Sequence, residues 1–231
     1  HQLDFGQCDD CGTAQLLSQV PAEELLPRYD WIKYNEPEGH LDDLVEKIGH
    51  LVRGKNDPRF LGVSYKEDST LKRLANRGYA ESYRLNPKID LGVKDDCAGI
   101  ESIQDKLRPE LAQKIMQQHG KFDFVIARHI LEHSHNPADF IKSLATLTAH
   151  DGYMVFEVPD CVQSLEKRVY SMIWEEHPIY FTPATFKNCF SSQGFSTNDF
   201  IVYPYPSQHL QSLFCQINLN KFIFCLIPFF F

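Results

Sequence analysis

The sequence predicts an α/β protein built on a doubly wound, mostly parallel sheet with an antiparallel pair at one edge. Three observations carry this. Strand-like and helix-like runs alternate from residue 59 to residue 194. Two of the strands, "FDFVIA" (122–127) and "YMVFEVP" (153–159), are apolar almost throughout, as strands covered on both faces are. The last two strand-like runs lie too close together for a crossover helix, so they pair antiparallel.

The elements follow in order. Residues 1–39 hold "CDDCGTAQL" and an aromatic connector, and read as the remnant of a cysteine-rich module. In "HLDDLVEKIGHLV" (40–52), Leu41, Leu44, Val45, Ile48, Leu51 and Val52 fall at helical spacing with acidic residues early, giving an amphipathic helix at the start of the main domain, 40–218. "RFLGVS" (59–64) is a short strand. "STLKRLANRGY" (69–79) is a helix ending at Gly78, and "AESYRLNP" (80–87) is a strand stopped by Pro87. A third strand is expected in "CAGIESI" (97–103), followed by a helix with Pro109 in its first turn and Gly120 at its end. After the 122–127 strand, Asn136 caps a helix with Pro137 at its first position and an Asp-Gly turn, 151–152, at its end. A helix over 183–194 and the runs "FSTNDFIVYPYP" and "LQSLFCQINL" complete the domain.

The chain has 231 residues, 43% of them hydrophobic, enough to bury one large core with a small appendage. A net charge of −8 and the lack of any basic run argue against a nucleic-acid partner. Seven scattered cysteines with one close pair fit a reduced, cytoplasmic protein rather than a disulfide framework. The start has no initiator Met and no leader, and reads as the middle of a longer chain. The apolar run "FIFCLIPFFF" (222–231) is half the ~20 residues that span a bilayer, so no membrane span is expected. Residues 219–231 read as an artefactual tail, with a buried terminal strand or a membrane-touching segment as alternatives.

Chemistry concentrates in two stretches. The first, "RHILEHSHNP" (128–137), contains His129-x-x-Glu132-His133, the pattern of an inverted zinc-protease motif. Such a motif needs one continuous helix. Here it follows a strand directly and a new helix is capped three residues later, which places it in a loop at the carboxyl edge of the sheet, where open α/β sheets bind ligands. The alternative is that His129 and His133 satisfy loop backbone and cap the next helix. The second stretch is "IWEEHPIYFTP" (173–183), in which Glu176 adjoins His177 and aromatic residues follow. A carboxylate beside an imidazole raises its basicity and holds its tautomer, as a general base requires; the alternative is a polar loop anchored by aromatics.

A nucleotide-type cofactor would need a close backbone approach after the first strand. "LGVSYKEDST" (61–70) offers Gly62, Ser64 and Lys66, without a G-x-G-x-x-G pattern. Asn86, ending the second strand 24 residues beyond Gly62, falls where a ribose acceptor is expected, or is a plain turn residue before Pro87.

Taken together, "CDDCGTAQL", "YDWIKY", "GKFDFVIARHILEHSHNPADFIKSL", "GYMVFEVPD" and "WEEHPIYFTPATF" resemble the class I S-adenosylmethionine-dependent C-methyltransferases that carry an N-terminal zinc module, a group that includes nucleotide-deoxysugar C-methyltransferases. The resemblance runs from about Cys8 to about residue 218. It implies a Rossmann-like methyltransferase sheet, S-adenosylmethionine as cofactor, and a small-molecule, keto-sugar-like substrate carried as a nucleotide-linked sugar. Arg128 and His129 would lie beside the methyl donor. His177 would be the base, with Glu176 its neighbour or a substrate contact, and His133, Trp174 and Tyr180 would face the substrate. Three departures stand out. Cys8 and Cys11 form only half of the family's Zn2+ site, so the other ligands are missing or lie upstream. Trp174 stands where the family usually has tyrosine, and "GVSYKEDST" replaces the glycine-rich donor loop. A noncatalytic binding module that keeps the fold, or transfer to oxygen or nitrogen of another metabolite, are the competing readings.

Overall fold

Alternation of side chains along each central strand decides which face receives which helix. The computed structural model describes residues 2–25, 38–94, 99–196, 199–205, 210–218 and 221–228. In chain order the elements are β1 (Phe5–Gln7), β2 (Ala14–Leu16), α1 (Ala22–Leu25), α2 (Leu41–Leu51), β3 (Phe60–Gly62), α3 (Asp68–Asn76), β4 (Ser82–Arg84), α4 (Ile100–Lys106), α5 (Pro109–His119), β5 (Phe122–Arg128), α6 (Pro137–Leu147), β6 (Thr148–Asp160), α7 (Val162–Glu166), β7 (Ile179–Tyr180), α8 (Pro183–Ser191), β8 (Asp199–Tyr205), β9 (Leu210–Asn218) and β10 (Lys221–Pro228).

The main sheet runs β4-β3-β5-β6-β10-β9-β8. Strands β4, β3, β5 and β6 are mutually parallel, whereas β8 and β9 pair antiparallel at the far side, as their short connection requires. Leu61, Val125, Ala127, Phe156 and Val158 point into a core with α5, α6 and α8, while Phe60, Phe124, Ile126 and Val155 point into a second core with α2 and α3. Period-2 alternation in a strand buried on both faces produces this split, and it makes the sheet doubly wound. Helix α6 begins as its sequence dictates: Pro137 occupies the first turn and Asn136 Oδ1 accepts the Asp139 N–H at 3.1 Å.

Two expectations are corrected. Of the strand expected over 97–103, residues 97 and 98 lie outside the described residues, and Ile100–Lys106 is helical. Ile100, Ile103 and Leu107 are spaced at three and four residues, and this period prevails. The Asp-Gly turn at 151–152 does not end a helix. Helix α6 stops at Leu147 and Gly152 sits inside β6, at an irregularity where the partners of β5 jump from Thr148 to Tyr153. A Cβ on Gly152 would lie 2.8 Å from the Asp123 carbonyl, so the close approach of two backbones requires glycine. Separately, Lys221–Pro228 forms β10, parallel to β6 and antiparallel to β9. The connector "YDWIKY" lies outside the described residues.

A second, three-stranded sheet has the order β1-β2-β7. The hairpin turn between β1 and β2 carries Cys8 and Cys11, and β2 pairs antiparallel with β7 through Ala14↔Tyr180 and Gln15↔Ile179. Ala14, Leu16, Cys161, Met172 and Tyr180 form its buried face.

Candidate functional site

The parallel strands β3, β5 and β6 deliver Gly62, Arg128 and Glu157 to one edge of the sheet. Among the described residues these form a buried ionic network. Arg128 is 1% exposed; its Nε donates to Glu157, its guanidinium donates to the Lys66 carbonyl at 2.6 Å, and its backbone N–H donates to Glu67 Oε1 at 2.6 Å. Glu157 also meets His40 Nε2 at 2.9 Å and His129 Nε2 at 3.3 Å. Burial works against the Glu157 carboxylate, yet the charges of Arg128 and His129 and the hydrogen bonds from His129 and His40 hold its pKa well below the usual carboxylate range. Glu67 is different: burial dominates over the Ser64 and Arg128 backbone donors and pushes it up to about 7.

Gly62 and Ser64 serve the chain's own helix start. Ser64 caps the turn at Tyr65–Glu67, with its hydroxyl accepting the Lys66 N–H and its own N–H donating to Glu67. A Cβ on Gly62 would stand 2.8 Å from Glu67 Cβ and 3.0 Å from Leu71 Cδ1. The space that the glycine leaves is occupied by Glu67. Asn86 follows the residue whose N–H donates to the Gly62 carbonyl, so it stands at the same edge. Its Oδ1 accepts from the Lys88 and Ile89 N–H groups, the geometry of a turn residue before Pro87.

The motif 129–133 is a loop, with a single 3₁₀ turn at Leu131–His133 between β5 and α6. His129 has φ +49°, an uncommon conformation for a side-chain-bearing residue and a mark of local backbone strain. In this loop Glu132 Oε2, Ser134 Oγ and His135 Nε2 are buried with no hydrogen-bond partner among the described residues. No group of three or more His, Cys, Asp or Glu side chains arranged to hold a metal ion occurs among the described residues. Cys8 and Cys11 stand together at the hairpin turn, where hydrogen bonds from Thr13 lower the Cys11 pKa.

The loop brings His133 to His177. Their Nε2 atoms are 3.1 Å apart and the rings meet edge-on, with centroids at 4.4 Å. On its other side, His133 Nδ1 lies 2.5 Å from Glu101 Oε1, and Glu101 is held in turn by Gln104. Burial disfavours a charged His133, but the Glu101 hydrogen bond and the charges of Glu101, Glu132 and Glu176 outweigh it and raise its pKa. His177 is lowered well below its ordinary value by burial and by the neighbouring positive groups His133, His129 and Lys66. A neutral imidazole in a buried site is the protonation state a base needs.

Glu176 is exposed beside this pair; partial burial raises its pKa against the pull of His133, with Glu101 and Glu175 adding to the rise. The Trp174 ring is 5.3 Å from that of His177. Tyr180 is tied to the same loop. Its hydroxyl accepts the Trp174 N–H at 2.9 Å and donates to the Trp174 carbonyl at 3.3 Å, closing the 174–180 loop around His177. Sequence reasoning missed Glu101, which sits in a stretch that reads as a strand, and Glu67, His40 and Glu157, whose roles depend on long-range packing.

Residues 86–198 match a family model described as a methyltransferase domain. No curated protein matches the chain. Among solved structures, an O-methyltransferase family protein from Burkholderia thailandensis is 11% identical with a TM-score of 0.50, over 80% of this chain and 56% of that one. The 1,6-didemethyltoxoflavin-N1-methyltransferase of the same organism, solved with 1,6-didemethyltoxoflavin and S-adenosylhomocysteine, is 12% identical with a TM-score of 0.48, over 93% and 98% of the two chains. The magnesium protoporphyrin IX methyltransferase of Synechocystis PCC 6803, solved with S-adenosylhomocysteine, is 14% identical with a TM-score of 0.45, over 90% and 93%. At these identities the likeness is one of fold. Residues 86–198 are thus similar to a methyltransferase domain, and the chain has an α/β fold of the class I methyltransferase kind. No helix among the described residues is long and apolar enough to cross a membrane.

Proposed function

We propose that the chain is an S-adenosylmethionine-dependent methyltransferase that methylates a carbon next to a carbonyl of a small, keto-sugar-like substrate, with a nucleotide-linked sugar as the form to test. The observation that carries this is His177: a buried imidazole, held neutral, in the loop between α7 and β7 and against the loop after β5. Glu132 Oε2, Ser134 Oγ and His135 Nε2 supply the fit for a donor, since buried polar atoms without partners call for a polar ligand and a carboxylate suits a cationic one. These residues, with Arg128 and His129 beside them, would hold the donor. When bound, it supplies an electrophilic methyl on a positively charged sulfur.

The chain's own residues do the rest. His177 takes the proton from the substrate carbon; the carbon–hydrogen bond breaks, its electron pair enters the enolate, and the carbon becomes the nucleophile. Trp174 and the closed 174–180 loop limit water at the imidazole, and Glu176, at the exposed rim, is placed to meet a substrate hydroxyl. Transfer to an amine would not need this base. The experiment is exchange of the substrate α-proton with D2O, in the wild type and in His177→Ala. Exchange that collapses in the variant supports the reading; methylation that survives in it moves the acceptor to nitrogen or oxygen.

A second reading rests on Glu67. Its side chain takes the space beside Gly62, where a donor's close approach is otherwise expected, which favours a binding module that has kept the fold without the chemistry. Calorimetric titration with S-adenosylhomocysteine separates the two, because only a donor site gives micromolar binding.

A further inference from the structure

We infer that Glu101 is a positioning residue for the base: it holds His133 so that His133 Nε2 accepts the His177 Nε2–H, which assigns His177 Nδ1 as the atom that takes the substrate proton. This rests on the reading of His177 as base and reassigns His133 from substrate contact to partner of the base.

The geometry leaves little choice of tautomer. Glu101, a carboxylate buried on α4, accepts at 2.5 Å from His133 Nδ1, so that nitrogen carries a proton. His133 Nε2 then faces His177 Nε2 at 3.1 Å, and one proton lies between them. With His133 neutral, that proton belongs to His177, and the lone pair of His177 is on Nδ1. With His133 charged, the proton belongs to His133 and His177 carries its hydrogen on Nδ1, so the base is switched off. The two rings titrate as a pair, and the basic form is the one that has lost the extra proton. When His177 receives the substrate proton at Nδ1, the imidazolium is stabilised through His133 by the Glu101 charge. The groups facing the pair are Glu101 from α4, Glu132 and His129 from the loop after β5, Glu176 from the loop before β7, and Lys66 from the turn after β3.

The sign of the expected effect follows. Glu101→Gln removes the charge that favours the protonated pair while keeping the shape, so the pair loses its extra proton at lower pH. The measurement is NMR titration of isotope-labelled histidine in the wild type, Glu101→Gln and Glu101→Asp, alongside the pH profile of turnover. In Glu101→Gln the titration of His133 and His177 and the acid limb of kcat should both move to lower pH by about one unit, with kcat down by roughly 10- to 100-fold and KM nearly unchanged. Glu101→Asp should restore the wild-type position of the limb in part. Histidine titrations unmoved in a folded Glu101→Gln overturn the inference whatever the activity, and so does a loss of kcat with no displacement of the limb. A wild type that shows these titrations but no His177-dependent proton exchange overturns the reading of His177 as base instead.

Discussion

Gly62→Ala is the substitution that separates two explanations of one glycine. If Gly62 exists to let a bound donor approach, an added methyl costs binding; if it exists to let Glu67 fold back, the methyl costs stability. The structure favours the second. An added Cβ would stand 2.8 Å from Glu67 Cβ and 3.0 Å from Leu71 Cδ1; the Leu71 methyl can rotate away, but Glu67 Cβ is fixed to the backbone and cannot. The backbone is unstrained by the change, because Gly62 is not among the residues with positive φ. The cost is therefore that of overpacking, ~1–3 kcal/mol. The upper part of that range applies if Glu67 must leave the Ser64 and Arg128 N–H groups, which would then be buried without acceptors. Urea unfolding followed by circular dichroism measures the loss. Repeating it in a Glu67→Gly background, which removes that Cβ, isolates the clash, and there the further cost of Gly62→Ala should fall by at least about 1 kcal/mol. A Gly62→Ala chain of unchanged stability with weakened S-adenosylhomocysteine binding, or a cost that persists in full without Glu67, would refute the argument.

Four further outcomes follow from the buried polar groups. Arg128→Met should destabilise the chain by ~3–5 kcal/mol in urea unfolding, since Glu157 and Glu67 would keep buried carboxyls without their cation. Glu67 has a folded pKa of about 7 against an ordinary 4.5, so the native state holds its proton longer; stability attributable to it falls as pH rises from 4.5 to 7, and Glu67→Gln should flatten that decline in unfolding curves collected across the window. Glu157 acts with the opposite sign: its depressed pKa gives stability that is present above the ordinary carboxylate range and lost as pH falls below it, so Glu157→Gln should be less stable at neutral pH but less sensitive to acid. Tyr180→Phe should lower kcat and cost ~1 kcal/mol in thermal unfolding, because the Trp174 backbone loses its phenol partner.

The central fold was legible because local signals agreed with tertiary ones. "FDFVIA" and "YMVFEVP" are apolar at every core position except Glu157, and Asn136-Pro137 marks a helix start by capping chemistry alone. The stretch 97–103 was not, since its apolar residues suit either period until the core selects Ile103 and Leu107. At the candidate site, His177 and the loop position of His129 and His133 follow from spacing and flanking elements. The pairing of His133 with Glu101 does not, because a contact between residues distant in the chain leaves no mark on local pattern. Asn86 and Tyr180 show the converse problem: both have the right chemistry at the right place, and in both the polar atoms are engaged by nearby backbone.

The small sheet has a consequence for how the site is assembled in time. Strand β7, which begins two residues after His177, is completed by β2 from near the other end of the described chain. Closing so long a loop is entropically costly, and non-local strand pairings of this kind form late. During synthesis the hairpin carrying Cys8 and Cys11 must wait for nearly the whole parallel sheet before it finds its neighbour. The doubly wound core can thus reach its native packing while His177 still lacks its place, and the maturation of chemistry becomes a separate, final event in folding.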